Sequence, residues 1–251
     1  MTSLNFRMAR AKVHLDELGK RVRLFIESKP YRITCHDDVE GQHYKIIIKM
    51  DDPPLDVALI LGDLVNSLRA CLDNLVWQMA ATVIYAAGDS DTESPSRRIC
   101  FPICRENTLD SQVLITKSTF GIPEGAISII KSLQPYHRGD AFASSPLWVL
   151  NELWSIDKHR HIAMHSAALQ LHFLPVGQSR IPNPIAIDRF DDHYEMVFAL
   201  SDKPNVQFEP REAELDFGSS HDGIVLNFNE VVSIYEFVRD SILPKFAGFF
   251  P

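Results

Sequence analysis

The sequence predicts an α+β fold, a single domain over residues 1–251. Three observations predict it. Apolar residues recur at spacings of three and four over the long stretches, the pattern of core-facing helices. Two other regions carry the β-branched content of strands, one before the second long helix and one between the last two. Proline and glycine fall at the edges of those short runs, where strands tolerate them. The order is helix, hairpin, helix, short helix, helix, antiparallel sheet, helix. It puts a helical core at about residues 1–168 and 229–247, and a β-rich insertion at about 169–228.

The elements follow in chain order. Residues 4–28 repeat Val13, Leu15, Leu18, Val22, Phe25 and Ile26 at helical spacing, loaded with basic charge, until Pro30 ends the helix. Tyr31–Cys35 and His43–Met50 predict two strands around a polar turn containing Gly41. Leu55–Ala86 is the longest helical pattern, with Val57, Leu61, Leu64, Leu68, Leu72, Leu75 and Met79 facing the core. Its other face carries Asn66, Arg69 and Asp73 within about 60° of one another, and Arg69 and Asp73 stand four apart, a pairing distance. Gly88–Arg98 is a polar loop, Thr108–Ser118 fits either class, and Pro123–Leu133 predicts a short helix. A loop over His137–Ser145 then feeds a helix over Pro146–His165, with Pro146 at its first position. Leu169–Val176, Ile185–Phe190, Tyr194–Leu200, Val206–Glu209 and Ala213–Phe217 are strand-like, with Gly223–Phe228 a further candidate. Asn227 or Asn229 caps a last helix, Glu230–Leu243, stopped by Pro244, and the aromatic tail KFAGFFP is expected to pack back on the body.

An apolar share of 45% supports a sizeable core, and a net charge of −8 argues against a general nucleic-acid coat. No apolar run approaches the ~20 residues of a membrane span and no secretory signal is evident, so a cytoplasmic location without membrane attachment is expected. Cys71 lies in a helical apolar pattern, and Cys100 and Cys104 lack the spacing and the second pair of a zinc ribbon. No Gly-rich phosphate loop, nucleophile elbow, zinc-protease helix or kinase signature occurs, and no cofactor is implied.

Two constellations could carry chemistry. The first lies in the predicted helix Pro146–His165, where Asp157, His161 and His165 are spaced i, i+4, i+8. Imidazole and carboxylate groups at that spacing can share a face and hold a divalent metal, the chemistry of a hydrolase. The plainer explanation is a polar helix end whose cations complement the negative terminus.

The second pairs that helix end with the polar face of the long helix. LRACLDNLVW at 68–77, CFPI at 100–103, LQPY at 133–136 and SPLWVLNELWSIDKHR at 145–160 together resemble a family of uncharacterised bacterial proteins with similar segments in the same order, over roughly residues 55–165. The first segment is also similar to the motif of HEPN-type helical bundles, an Arg followed by a polar residue with a His four to six positions on. The resemblance implies a four-helix, HEPN-like bundle, and with it the activity of many such proteins: metal-independent endoribonucleases of defence or toxin–antitoxin systems, acting on RNA at a homodimer interface. Others in that superfamily are inactive binding modules. Carried over, Arg69 matches the Arg, Ala70 stands at the polar position and Asn74 at the His. Arg would stabilise phosphate charge and His would act on a ribose hydroxyl. Asn cannot serve as a base, so the acid–base role is lost or falls to Asp157, His159 or His161. The candidate site is therefore Arg69, Asp73, Asn74, Asp157, Lys158, His159 and Arg160. Against it stands a structural reading in which Arg69 pairs with Asp73 or Asp157 and locks two helices together.

Overall fold

The computed structural model describes residues 2–37, 41–86, 95–160, 162–175, 183–184, 186–189, 193–199, 201, 203, 206–219 and 223–250. Helix α1 spans Thr2–Glu27 and buries Leu4, Met8, Ala11, Leu15, Leu18 and Val22, a seam at alternating spacings of four and three. It ends where Lys29 turns left-handed, at φ 54°, ahead of Pro30. Strands β1 (Tyr31–Asp37) and β2 (His43–Met50) form an antiparallel hairpin. Helix α2 covers Leu55–Ala86, and its predicted stripe is the centre of the main core, with Val57, Leu61, Leu72 and Leu75 fully buried.

Residues 109–118 resolve as helix α3 (Leu109–Ser118), because Thr108 caps it: its Oγ1 accepts the Ser111 N–H at 3.3 Å. Helix α4 is Glu124–Ser132. The predicted loop before the next helix is instead a 3₁₀ segment over Pro135–Ser144, interrupted at Gly139 with φ 56°. Helix α5 begins at Pro146 and ends at His159, six residues earlier than the periodicity suggests. Arg160 is fully extended (φ −165°, ψ 164°), although its N–H still donates to the Ile156 carbonyl at 2.9 Å. No Gly or Pro stops this helix. Strand β3 (Met164–Pro175) takes the chain away by pairing Met164 with Phe217, so a sheet ladder overrides helical spacing.

Strands β4 (Ala186–Arg189), β5 (His193–Ala199), β6 (Val206–Ser219) and β7 (Ile224–Leu226) follow. The two strands expected at 206–209 and 213–217 are thus one. Pro210 lies within it, opposite Leu171 beside a register shift. Among the described residues β7 pairs only with Phe217–Ser219, so at Pro210 the strand has β3 alone beside it and the missing N–H breaks no second ladder. The strands form two antiparallel sheets, ordered β1-β2-β5-β4 and β3-β6-β7. The amino-terminal hairpin is therefore not a separate decoration: β2 pairs with β5 from Lys49↔His193 to His43↔Ala199.

Helix α6 (Phe228–Glu236) opens with a capping box, Glu230 N–H to Asn227 Oδ1 at 3.0 Å and Asn227 N–H to Glu230 Oε2 at 2.8 Å. It continues through a π-helical turn (Phe237–Ile242) into a 3₁₀ turn (Leu243–Phe249), so Pro244 changes the winding rather than ending it. The aromatic tail packs back: Phe246 is fully buried, and the Phe249 ring lies where a side chain on Gly125 would stand.

Helix α1 packs on α2 and α6, and α5 packs on the same two. Leu215, Phe217, Ile224 and Leu226 add one end of the β3-β6-β7 sheet to this helical core. Tyr44, Ile46, Ile48, Met196 and Phe198 make a second, smaller cluster on one face of the other sheet. No helix among the described residues is long and apolar enough to cross a membrane.

Candidate functional site

The polar face of α2 meets α5 as its spacing predicts. Arg69 is 6% exposed, and its Nη2 lies 3.2 Å from Asp73 Oδ1. The guanidinium carbon sits over the Trp154 ring of α5, 5.1 Å from the centroid. Lys158 Nζ lies over the same ring at 3.4 Å. One turn earlier on α2, Asn66 Nδ2 donates to Asp157 Oδ2 at 2.8 Å. Asp157 packs directly on Gly62, where a Cβ would stand 2.3 Å from its Oδ1. Only a residue without a side chain lets the α5 carboxylate lie against the α2 backbone at this crossing.

Asp73 has a second partner. Its Oδ1 accepts the backbone N–H of Phe101 at 2.9 Å, and the Phe101 ring is fully buried. The segment around Phe101 is fixed by Gln134, whose side chain is 98% buried. Gln134 accepts the Cys104 N–H at 2.8 Å and donates to the Pro102 and Ile130 carbonyls at 2.9 and 3.0 Å. The four segments LRACLDN, CFPI, LQPY and LWSIDK are thus parts of one knot, closed by side chains that satisfy backbone groups.

Burial pushes the Asp73 carboxyl above its ordinary value, against the opposing pull of Arg69, the Phe101 N–H and Lys158. Arg69 offers more donors than the knot uses. Among the described residues its Nε and Nη1 are buried and have no hydrogen-bond partner.

The chain matches no protein-family model, no curated protein and no solved structure.

The structure brings Arg69, Asp73, Asp157 and Lys158 together and turns Asn74 away from them. Asn74 is turned about 140° from Arg69 around α2. It faces α1, where its Oδ1 accepts from Ser3 Oγ at 2.8 Å, and it also accepts from Gln78 Nε2, one turn on along α2, at 2.6 Å. The position that would carry the motif's base is therefore spent on a different helix contact. His159 and Arg160 are exposed at the end of α5. The metal set fails as a helical face because α5 stops at His159. His165 belongs to strand β3, opposite Asp216, and His161 lies outside the described residues. No group of three His, Cys, Asp or Glu side chains suited to a metal occurs among the described residues.

Residues missed from the sequence are Gly62, Trp154, Phe101 and Gln134. Gly62 alone left a signal, as an unforced glycine inside a strong helical pattern. Trp154 looks like one more apolar stripe position, and Phe101 acts through its backbone.

Proposed function

We propose that this chain is a non-catalytic, HEPN-like interaction module, in which the Arg69–Asp73–Trp154 knot locks two helices rather than acting on a substrate. One observation carries this: Arg69 is 6% exposed and already committed to Asp73 and Trp154. A guanidinium that stabilises phosphate charge must be reachable by the phosphate. The mutual packing of α1, α2, α5 and α6 supports a four-helix, HEPN-like arrangement. The position of Asn74, chemically unable to take a proton and facing α1, supports loss of the acid–base role. On this reading the module works by association, with a homodimer as its natural state, in the cytoplasm.

A second reading, a metal-independent endoribonuclease of a defence or toxin–antitoxin system, is favoured by a specific observation. Two guanidinium donors of Arg69 are without a protein partner among the described residues, and Lys158 adds positive charge at the same ring. Incubation of the protein with structured and single-stranded RNA in EDTA separates the two. The module reading expects intact RNA at high protein concentration, with Arg69→Ala altering stability instead. RNA cleavage lost in Arg69→Ala and in His159→Ala overturns it in favour of the nuclease.

A further inference from the structure

Helix α1 carries a second heptad seam opposite its buried one. The buried seam runs Leu4, Met8, Ala11, Leu15, Leu18, Val22. Displaced by two residues, about 200° around the helix, runs Phe6, Arg10, Val13, Glu17, Lys20, Leu24, Glu27. Every member of this outer seam is exposed, and its apolar members strongly so: Phe6 at 73%, Val13 at 54% and Leu24 at 50%. The charges flanking the seam are engaged within the chain, Lys12 with Asp16 and Arg21 with Asp56. Arg10, Glu17, Lys20 and Glu27 make no ion pair among the described residues.

We infer that this seam is the docking face for a second copy of the chain, with the two α1 helices antiparallel about a two-fold axis between Leu18 and Gly19. The charge order selects the register. A parallel pair would set every seam charge against its own copy. An antiparallel pair that joins Phe6 to Leu24 sets Lys20 against Arg10. Centring the axis between residues 18 and 19 leaves Phe6 beyond the overlap and makes every layer within it complementary: Arg10 against Glu27, Val13 against Leu24, Glu17 against Lys20, and the same three again by symmetry. Like-charge layers cost several kcal/mol, whereas opposite ones steer and fix the register.

The overlap, residues 10–27, is about 27 Å long. One helix pair of that length falls in the small-interface class, so association is concentration-dependent in the micromolar range and weakens with salt. The inference deepens the module reading by naming its partner and the face used. The two are told apart by their tests: RNA cleavage overturns the module reading, whereas charge reversals on α1 that leave a dimer intact overturn this face alone.

The test is sedimentation equilibrium of the full chain and its variants. Wild type is expected to show a monomer–dimer equilibrium. Glu17→Lys and Lys20→Glu, each creating two like-charge layers, weaken it by about tenfold or more. The double variant Glu17→Lys/Lys20→Glu regains opposite charge in every layer and restores dimerisation to about the wild-type level. An equimolar mixture of the two single variants forms heterodimers, since each supplies the sign the other lacks. A wild type monomeric at every concentration, single variants that dimerise as well as wild type, or a double variant no better than the singles overturns the inference.

Discussion

Substituting Arg69 tests whether the knot between α2 and α5 is a lock. Truncation to Ala removes the guanidinium from the Trp154 face, a contact of about 1–2 kcal/mol when desolvated. It also removes the ion pair with Asp73, of about 1.5 kcal/mol for a buried cation against a carboxylate that is 31% exposed. The buried aliphatic stem adds about 1–2 kcal/mol of lost packing. Against this, two buried donors without partners disappear, which returns about 1–2 kcal/mol. The expected net loss is about 3 kcal/mol. Arg69→Met keeps the stem over Trp154 and still removes the orphan donors, so its loss is about 1 kcal/mol. Adding Asp73→Asn to Arg69→Met preserves an acceptor for the Phe101 N–H and removes a half-buried charge left without its cation, so the double variant is no less stable than Arg69→Met. Equilibrium urea unfolding measures all three, with the m-value checked for constancy. An Arg69→Ala protein within about 0.5 kcal/mol of wild type, or a Met variant worse than Ala, refutes the lock, because surface substitutions behave that way and buried anchors do not.

Three further outcomes are expected. Gly62→Ala drives a methyl into Asp157 and costs about 1–3 kcal/mol, and Asp157→Ala in the same chain recovers most of it; non-additivity in a double-mutant cycle is the readout. The native state holds the Asp73 proton more tightly than the unfolded chain does. Stability from this group is therefore fully present below its ordinary carboxylate value and is lost as pH rises through the raised one. Asp73→Asn removes that part of the slope in unfolding titrations across the acid range, and an unchanged slope contradicts the assigned burial. Burial pushes the Cys71 thiol up to about 11, while Cys35 is exposed. At pH 8 a maleimide labels Cys35 in the folded protein and reaches Cys71 only on unfolding, as peptide mass mapping will show.

Local periodicity is sufficient for the two long helices α1 and α2. Leu55–Ala86 is read at its observed ends because each turn presents an apolar residue to one core, and the Arg69–Asp73 pairing follows from four-residue spacing alone. The failures are long-range. Nothing near His159 breaks a helix; the chain leaves because Met164 finds Phe217 some fifty residues later, which no local pattern encodes. The shared helical face of Asp157, His161 and His165 depended on those six extra residues and goes with them. Asn74 was grouped with Arg69 by motif resemblance, although a five-residue step turns it away from α5 and toward Ser3. Conversely, the knot's reach to Phe101 is invisible in sequence because a backbone N–H carries it, and every residue type has one.

The pairing of β2 with β5 has a consequence during synthesis. Residues His43–Met50 include the run Ile46-Ile47-Ile48, and their second neighbour is made roughly 150 residues later, on the order of ten seconds at ribosomal speeds. Until then the nascent chain displays a hydrophobic strand with an open edge, in the interval when unpaired edges recruit one another. Lys45 and Lys49, flanking the isoleucines on the growing edge, are placed where positive charge opposes such pairing. Expression yield and inclusion-body fraction should therefore respond more sharply to neutralising these two lysines than native-state stability does.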